Sequence, residues 1–146
     1  MSDESVVYGY IKNASAFTAE EKYISQAINR KALSHLPTLD ACAFLSRDIF
    51  SAPVSLAYDD LPLSSVIHFG SAYKGIEYEW GLWITQFEQL LQGMYWDTVI
   101  VHLETELSGV HTFTWDSGNT VHVPSDKALN IRCEWQHEMG LYSRIA

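Results

Sequence analysis

Histidine and carboxylate side chains are concentrated in the segment from Met94 to Asp116. Four of them follow one another closely: His102, Glu104, Glu106 and His111. Imidazoles and carboxylates act as general acids and bases, or bind a metal ion, when their side chains converge on one point. No Gly-rich phosphate loop, Gly-x-Ser-x-Gly elbow, His-Glu-x-x-His pair or paired-cysteine motif accompanies them. What these residues do therefore depends on the elements that position them.

The segment is predicted to form two β-strands joined by a turn at Ser108-Gly109. Apolar residues alternate with the polar ones along the first strand: Val99, Val101, Leu103 and Leu107. This alternation makes one side of the strand apolar and the other acidic. Glycine at the second position favours a two-residue loop. That loop predicts three facing pairs: Glu106 with His111, Glu104 with Phe113, and His102 with Trp115. Acids, imidazoles and two large aromatic rings then share one surface, which favours contact with another molecule.

Three histidines, His102, His111 and His122, are candidates for one metal site on this sheet face. The predicted register places His102 and His111 several residue steps apart. An ion whose bonds to its ligands are roughly 2 Å long cannot join side chains so separated. We therefore expect no metal ion and no cofactor. We interpret Glu104 and Glu106 as solvated strand carboxylates, since the pattern implies no inner pocket for an acid/base pair.

Composition limits the kind of partner. The chain has 146 residues, 47% of them hydrophobic and 18% charged, which suits a single globular domain over residues 1–146. It carries 18 Asp and Glu against 9 Lys and Arg, a formal net charge of -9. Phosphate backbones and anionic membranes are bound by clustered basic side chains, which are scarce in this chain. We expect no nucleic-acid or membrane partner and favour a basic protein.

The N-terminal sequence shows no basic segment followed by an apolar one, and no apolar run approaches the roughly 20 residues that span a bilayer. We expect a soluble, cytoplasmic protein. Cys42 and Cys133 lie far apart without Cys-x-x-Cys spacing, so we interpret them as two buried thiols in a reducing compartment.

The first half of the chain predicts one strand and one helix. Val6 to Lys12 is the strand, with Gly9 permitting a bulge or a close backbone approach. Thr18-Ala19-Glu20-Glu21 matches a capping box that starts a helix running to about Leu36. Its apolar stripe consists of Ile24, Ala27 and Ile28. From Thr38 to Ser65 we expect loops with at most one short turn of helix.

The second half predicts a helix and an antiparallel meander. After a strand at Val66–Gly70, eight apolar residues follow at helical spacing: Ile76, Trp80, Trp83, Ile84, Phe87, Leu90, Leu91 and Met94. We assign this stripe, including its tryptophans, to the core, and Gly93 to the helix end. Strands at Thr120–Val123 and Leu129–His137 follow the hairpin. The expected fold is α+β, a mainly antiparallel sheet with two main helices packed on one face.

Several of these segments resemble a known family. Val66 to Lys74, the helix around Trp80, Tyr95-Trp96 and Val101 to Leu107 are similar to the immunity proteins that bacteria encode beside polymorphic toxins of the Rhs, contact-dependent inhibition and type VI secretion systems. The resemblance covers roughly Val66 to Asp116 and includes no catalytic motif. It implies a small cytoplasmic protein without enzymatic activity that binds a cognate toxin domain and blocks it.

We therefore predict stoichiometric inhibition through the hairpin face. Trp115 and Phe113 are the expected anchors, and the charged contacts are expected from Glu104, Glu106, Asp116, His102 and His111. If another helix covers that face, the contact moves to Tyr58-Asp59-Asp60 or to the region of Glu77 and Glu79. Two alternatives remain: a small enzyme or ligand-binding domain that uses histidine and carboxylates in a cleft, and an acidic effector chaperone or adaptor.

Overall fold

Six β-strands and two α-helices form the described part of the chain. In the computed structural model this part comprises residues 4–13, 18–38, 44–51, 65–117 and 121–124, with the backbone alone for 132–138. The strands are β1 (Glu4–Asn13), β2 (Phe50–Ser51), β3 (Ser65–Lys74), β4 (Thr98–Thr105), β5 (Gly109–Asp116) and β6 (Arg132–Glu138). The helices are α1 (Ala19–Ser34) and α2 (Trp80–Gln92). Two 3₁₀ turns cover Arg47–Ile49 and Ile76–Glu79.

All six strands belong to one antiparallel sheet in the order β2-β3-β1-β4-β5-β6. β1 lies inside the sheet and pairs with β3 on one side and β4 on the other. The last three strands are neighbours both in sequence and in space, so the predicted C-terminal meander is confirmed. The α+β class is confirmed with it, because the helices are separate from a purely antiparallel sheet.

Side-chain alternation divides the sheet into two faces. The core face consists of buried residues: Val7, Ile11, Ile67, Phe69, Val99, Val101, Leu103 and Trp115. The outer face carries the residues between them: Tyr8, Tyr10, His68, Ile100, His102, Glu104, Thr112 and Thr114. Each strand thus reads apolar inward and largely polar outward, as expected of an antiparallel sheet that packs helices on one side.

α2 covers the core face with the predicted apolar stripe. The Phe87 ring lies 5.3 Å from that of Phe69 and 5.5 Å from that of Trp115, measured between centroids. Fully burying a large apolar side chain contributes about 1.5–3 kcal/mol, so these contacts hold the helix on the sheet. The helix ends at Gly93, whose N–H reaches the carbonyls of Leu90 and Leu91, as predicted.

α1 begins as predicted but faces a different way. The Thr18 hydroxyl accepts a hydrogen bond of 3.2 Å from the Glu21 N–H, so the helix start is confirmed. The predicted stripe is wrong: Ile24 is 45% exposed, and the buried residues are Ser25, Asn29 and Leu33. The reason is the Asn29 amide, which accepts from the Tyr95 N–H at 2.8 Å and donates to its carbonyl at 3.0 Å. This bidentate contact and Leu33 orient the helix more strongly than Ile24 does.

Gly9 allows the close backbone approach that the sequence indicated. A Cβ atom at this position would overlap the carbonyl oxygen of Ile100 on β4. The strand therefore tolerates only glycine without moving.

Tyr73 links the core face to the segment after α1. Its hydroxyl donates to the Phe44 carbonyl at 2.8 Å and accepts from Trp83 Nε1 at 3.3 Å. Burial raises the pKa of Tyr73 above its usual value. The hydroxyl therefore remains protonated and keeps both bonds over the ordinary pH range.

The remaining predictions fall partly on described residues. Between Thr38 and Ser65 the structure has the expected short helical turn at Arg47–Ile49 and the unpredicted strand β2. Of the predicted strand Thr120–Val123 the structure describes residues 121–123, which form one bridge, between Trp96 and His122. Cys42, Tyr58, Asp59 and Asp60 lie outside the described residues, as does the side chain of Cys133.

Candidate functional site

The β4–β5 hairpin has a different register from the one predicted. Thr105 pairs with Gly109, which leaves residues 106–108 as a three-residue loop. Gly109 adopts φ 81°, the left-handed conformation that closes such a loop. The pairing is thereby shifted by three residues, an odd number, and every side chain of β5 moves to the other face of the sheet. The predicted mixture of acids and aromatics on one surface is therefore wrong.

Trp115 and Phe113 belong to the core side. Trp115 pairs with Val99, is 0% exposed, and donates from Nε1 to Glu88 Oε2 at 3.1 Å. Phe113 pairs with Val101 and packs against Trp80 at 5.2 Å between ring centroids. Neither ring lies on the outer face with Glu104. The interpretation of Trp115 as an interface anchor is wrong, since α2 covers it.

The three candidate histidines are separated by the sheet itself. His102 is on the outer face, whereas His111 pairs with Leu103 and lies on the core side. His122 is buried, where its Nδ1 contacts the Met94 carbonyl at 2.9 Å and its ring stacks on Trp96. No group of three or more His, Cys, Asp or Glu side chains among the described residues is arranged to hold a metal ion.

A polar network crosses three strands of the outer face. The Tyr8 hydroxyl on β1 donates to Glu104 Oε1 on β4 at 2.7 Å. The Tyr8 ring also packs against the His102 ring at 4.9 Å, and His102 Nδ1 shares a hydrogen bond of 2.9 Å with Thr112 Oγ1 on β5. These partly exposed groups hold one another in place. The network keeps two predicted site residues, His102 and Glu104, and adds Tyr8.

The sequence analysis did not single out Tyr8, although the alternation of residues in β1 indicates its position. In β1, Val7 and Ile11 alternate with Tyr8, Tyr10 and Lys12, a pattern that separates an apolar from a polar aromatic face. Together with the alternation of β4, this pattern identifies the outer face of the sheet. The hairpin register is not needed for that identification.

One end of the sheet is acidic. β1 begins there, β4 ends there, and the 3₁₀ turn after β3 is tied to β1, because Ser5 Oγ accepts from the Ile76 N–H at 3.3 Å. Four carboxylates belong to these elements and a fifth, Glu106, to the hairpin loop that follows β4; the four are Glu4, Glu77, Glu79 and Glu104. We call this set the acidic end. Three of its members surround a shallow depression of about 220 Å³: Glu4, Glu104 and Glu106. Lys74, opposite Glu4 in the register, is a basic residue at the same end.

A cleft of about 410 Å³ opens beside the acidic end, between the first turn of α2 and the β4–β5 hairpin. We call it the hairpin cleft, and its lining combines polar and aromatic side chains: Glu77, Trp80, Leu103, Thr105, Ser108, His111 and Phe113. Ser108 Oγ and His111 Nε2 share a hydrogen bond of 2.8 Å on one wall. The cleft therefore gathers a carboxylate, an imidazole and a hydroxyl, which the sequence alone did not bring together.

The other predicted site residues are distributed as follows. Glu106 is exposed in the hairpin loop, within the acidic end. Asp116 is exposed at the opposite end of β5, where it pairs with Thr98. Asp59 and Asp60 lie outside the described residues.

The chain matches no known protein family, no curated protein and no solved structure. Its resemblance to immunity proteins therefore stays a prediction. Among the described helices, none has both the length and the apolar character that crossing a bilayer requires.

Proposed function

We propose that this protein is a cytoplasmic immunity protein that binds a basic toxin domain with its acidic end and neutralises it by stoichiometric inhibition. The observation that carries the proposal is the acidic end, where β1, the turn after β3, β4 and the hairpin loop carry five carboxylates at one end of the sheet, three of them around a common depression. This replaces the predicted hairpin face as the contact surface. The acidic end includes Glu77 and Glu79, the alternative contact region that the sequence indicated.

Electrostatics favours a basic partner at this surface. The net charge of -9 attracts cationic molecules from a distance, and carboxylates gathered at one end give that attraction a direction. Toxin domains that act on nucleic acids present basic clefts, which such a surface complements. Complementary charge raises the association rate and selects the orientation of the encounter.

Affinity also requires groups that lose their water on contact. Tyr8 is suited to this role because its ring is partly exposed and its hydroxyl is held by Glu104. Tyrosines in such settings are frequent anchors of protein interfaces, since they bury a large area with little loss of side-chain freedom. The outer face next to the acidic end thus supplies an anchor that the buried Trp115 does not.

Co-expression with the product of the neighbouring gene tests the proposal. We expect the protein to restore growth of cells that produce that toxin and to co-purify with it. An effector chaperone or adaptor would co-purify without protecting the cells. Co-production that neither restores growth nor yields a complex would contradict the proposal.

A matched pair of charge reversals tests the surface. Glu106→Lys and Asp116→Lys change the net charge equally at exposed positions on opposite ends of the same hairpin. We expect Glu106→Lys to slow association with the toxin several-fold and Asp116→Lys to have little effect, because only the first lies in the acidic end. Equal effects of the two would indicate attraction by overall charge and not by this surface.

The second candidate function is that of a small hydrolase, and the Ser108–His111 bond in the hairpin cleft favours it. A serine hydroxyl bonded to an imidazole is the arrangement that activates a nucleophile. A fluorophosphonate reagent, which modifies activated serines, distinguishes the two functions. Labelling that Ser108→Ala abolishes would support the hydrolase, whereas the immunity proposal expects Ser108 to remain unlabelled.

A further inference from the structure

We propose that the hairpin cleft binds an arginine side chain of the partner polypeptide, with Glu77 as its counter-ion and Trp80 as a donor to a neighbouring carbonyl oxygen. This inference rests on the proposed function, because it names the partner chemistry that the acidic end recognises. The cleft would thus bind the partner separately from the polar network on the outer face.

Two of the residues that line this cleft each carry a buried polar atom without a hydrogen-bond partner. Glu77 Oε1 and Trp80 Nε1 are both buried, and neither has a hydrogen-bond partner among the described residues. Leaving a buried donor or acceptor unpaired costs about 1–3 kcal/mol, more for a charged group. Glu77 Oε1 needs a hydrogen-bond donor, and Trp80 Nε1 needs an acceptor. A ligand that offers both within a short distance removes both costs at once.

The walls of the cleft are fixed before any ligand arrives. Trp80 stacks on the buried Trp83 at 4.9 Å with an interplanar angle of 6°, and its other neighbour is Phe113 at 5.2 Å. Leu103 contributes to the same lining. Because Trp83 is 0% exposed, the Trp80 ring is held against an immobile surface. Rigid walls lower the entropy that binding must overcome.

Charge and shape together select a cation. Glu77 lines the cleft, Glu79 belongs to the same 3₁₀ turn, and Glu106 is in the hairpin loop next to the lining residue Thr105. An anionic ligand would be repelled by the Glu77 carboxylate in the lining. A guanidinium group is planar, forms paired hydrogen bonds with a carboxylate and stacks on aromatic rings, whereas an ammonium group does not. Arginine therefore fits a site that combines Glu77 with Trp80 and Phe113.

The volume also suits one residue of a polypeptide. About 410 Å³ lies within the range of small ligand sites. The aliphatic stem of an arginine can lie along Leu103 and Phe113 while its head reaches Glu77. A backbone carbonyl of the same segment can then accept from Trp80 Nε1. Each unsatisfied atom thus meets the complementary group of a single residue.

Titration with N-acetyl-L-argininamide tests this inference. The Trp80 indole N–H signal, assigned with Trp80→Phe, is followed in proton–nitrogen correlation spectra of the full chain. We expect a saturable shift with N-acetyl-L-argininamide and little or none with N-acetyl-L-citrullinamide, which has nearly the same shape without the charge. Glu77→Gln should weaken binding about tenfold, as loss of a charge-assisted contact does, whereas Glu79→Gln should change it little.

If Glu77→Gln does not fold, Trp80→Phe gives the second test. It keeps an aromatic ring but removes the donor, so binding followed at the His111 amide should weaken several-fold. An unshifted Trp80 signal, equal binding of the citrulline compound, or tighter binding of the lysine analogue would overturn the inference. Growth protection by the wild-type protein would be unaffected by that failure. Arginine binding without growth protection would instead contradict the proposed function and leave the cleft assignment standing.

Discussion

The Tyr8 hydroxyl donates a 2.7 Å hydrogen bond to Glu104 Oε1 across the β1–β4 pair. The two residues are not directly opposite, since Tyr8 pairs with His102 and Glu104 with Val6. The bond is therefore diagonal, and it joins the aromatic part of the outer face to the acidic end. A long side chain can reach a diagonal neighbour in this way. The contact fixes the direction of one carboxylate that we propose meets the toxin.

Tyr8→Phe removes this bond while keeping the ring. We expect a loss of about 1 kcal/mol in the free energy of unfolding, typical of one net hydrogen bond, together with weaker toxin binding because Glu104 loses its fixed orientation. Chemical denaturation and a binding titration measure the two effects. Tyr10→Phe is the matched control, since the structure gives the Tyr10 hydroxyl no hydrogen bond to a described residue. Unchanged affinity for Tyr8→Phe would place the contact away from this bond.

Trp115→Ala is expected to destabilise the protein and leave its affinity for the toxin unchanged. The side chain is fully buried against Phe87 and bonded to Glu88, so its truncation should cost on the order of 3–5 kcal/mol of folding free energy. Denaturation gives the stability, and a titration corrected for the folded fraction gives the affinity. A folded variant that binds the toxin markedly more weakly would indicate that Trp115 belongs to the contact surface.

Gly9→Ala is expected to destabilise the sheet, because the added Cβ would overlap the Ile100 carbonyl oxygen. Overpacking of this kind costs typically about 1–3 kcal/mol. Gly70→Ala is the control in the adjacent strand. There the new Cβ would meet Tyr8 Cβ at 3.5 Å, an ordinary contact, and the cost should be small. Thermal unfolding of both variants measures the difference, and equal stabilities would contradict the close approach.

Asn29→Ala tests how α1 is oriented. The substitution leaves the Tyr95 N–H and carbonyl without their side-chain partner, so we expect a loss of about 2 kcal/mol or more in unfolding free energy. Lys31→Ala, on the exposed side of the same helix, should change stability by less than about 0.5 kcal/mol. If both variants unfold alike, the Asn29 contact does not hold the helix.

The sequence predicts α2 well and α1 less well for a physical reason. Six of the eight residues of the apolar stripe fall within α2 and leave it one way to face the core, where Trp83 and Phe87 are fully buried. In α1 the apolar residues form a weak stripe. A polar residue, Asn29, decides the orientation instead, and its partner is a backbone 66 residues away. Periodicity in one element carries no information about such a partner.

The length of the hairpin loop decides on which face of the sheet the side chains of β5 lie. Ser108-Gly109 is compatible with a two-residue loop, but the same glycine also closes the three-residue loop that is observed. The difference shifts the register by an odd number of residues and places Trp115 in the core. The strand alternation of β4 was predicted correctly, so the outward positions of His102 and Glu104 did not depend on the loop. The hairpin cleft, which joins Trp80 to His111, depends on tertiary packing and was not predicted.

Titration of the toxin's activity with this protein tests the central claim most directly. With toxin above the dissociation constant, activity should fall to zero near one molecule of this protein per toxin, since inhibition by binding is stoichiometric. Glu106→Lys should shift the curve to higher concentration and Asp116→Lys should not. Complete inactivation at a small fraction of that ratio would show turnover and contradict the account, as would full toxin activity in the presence of excess protein.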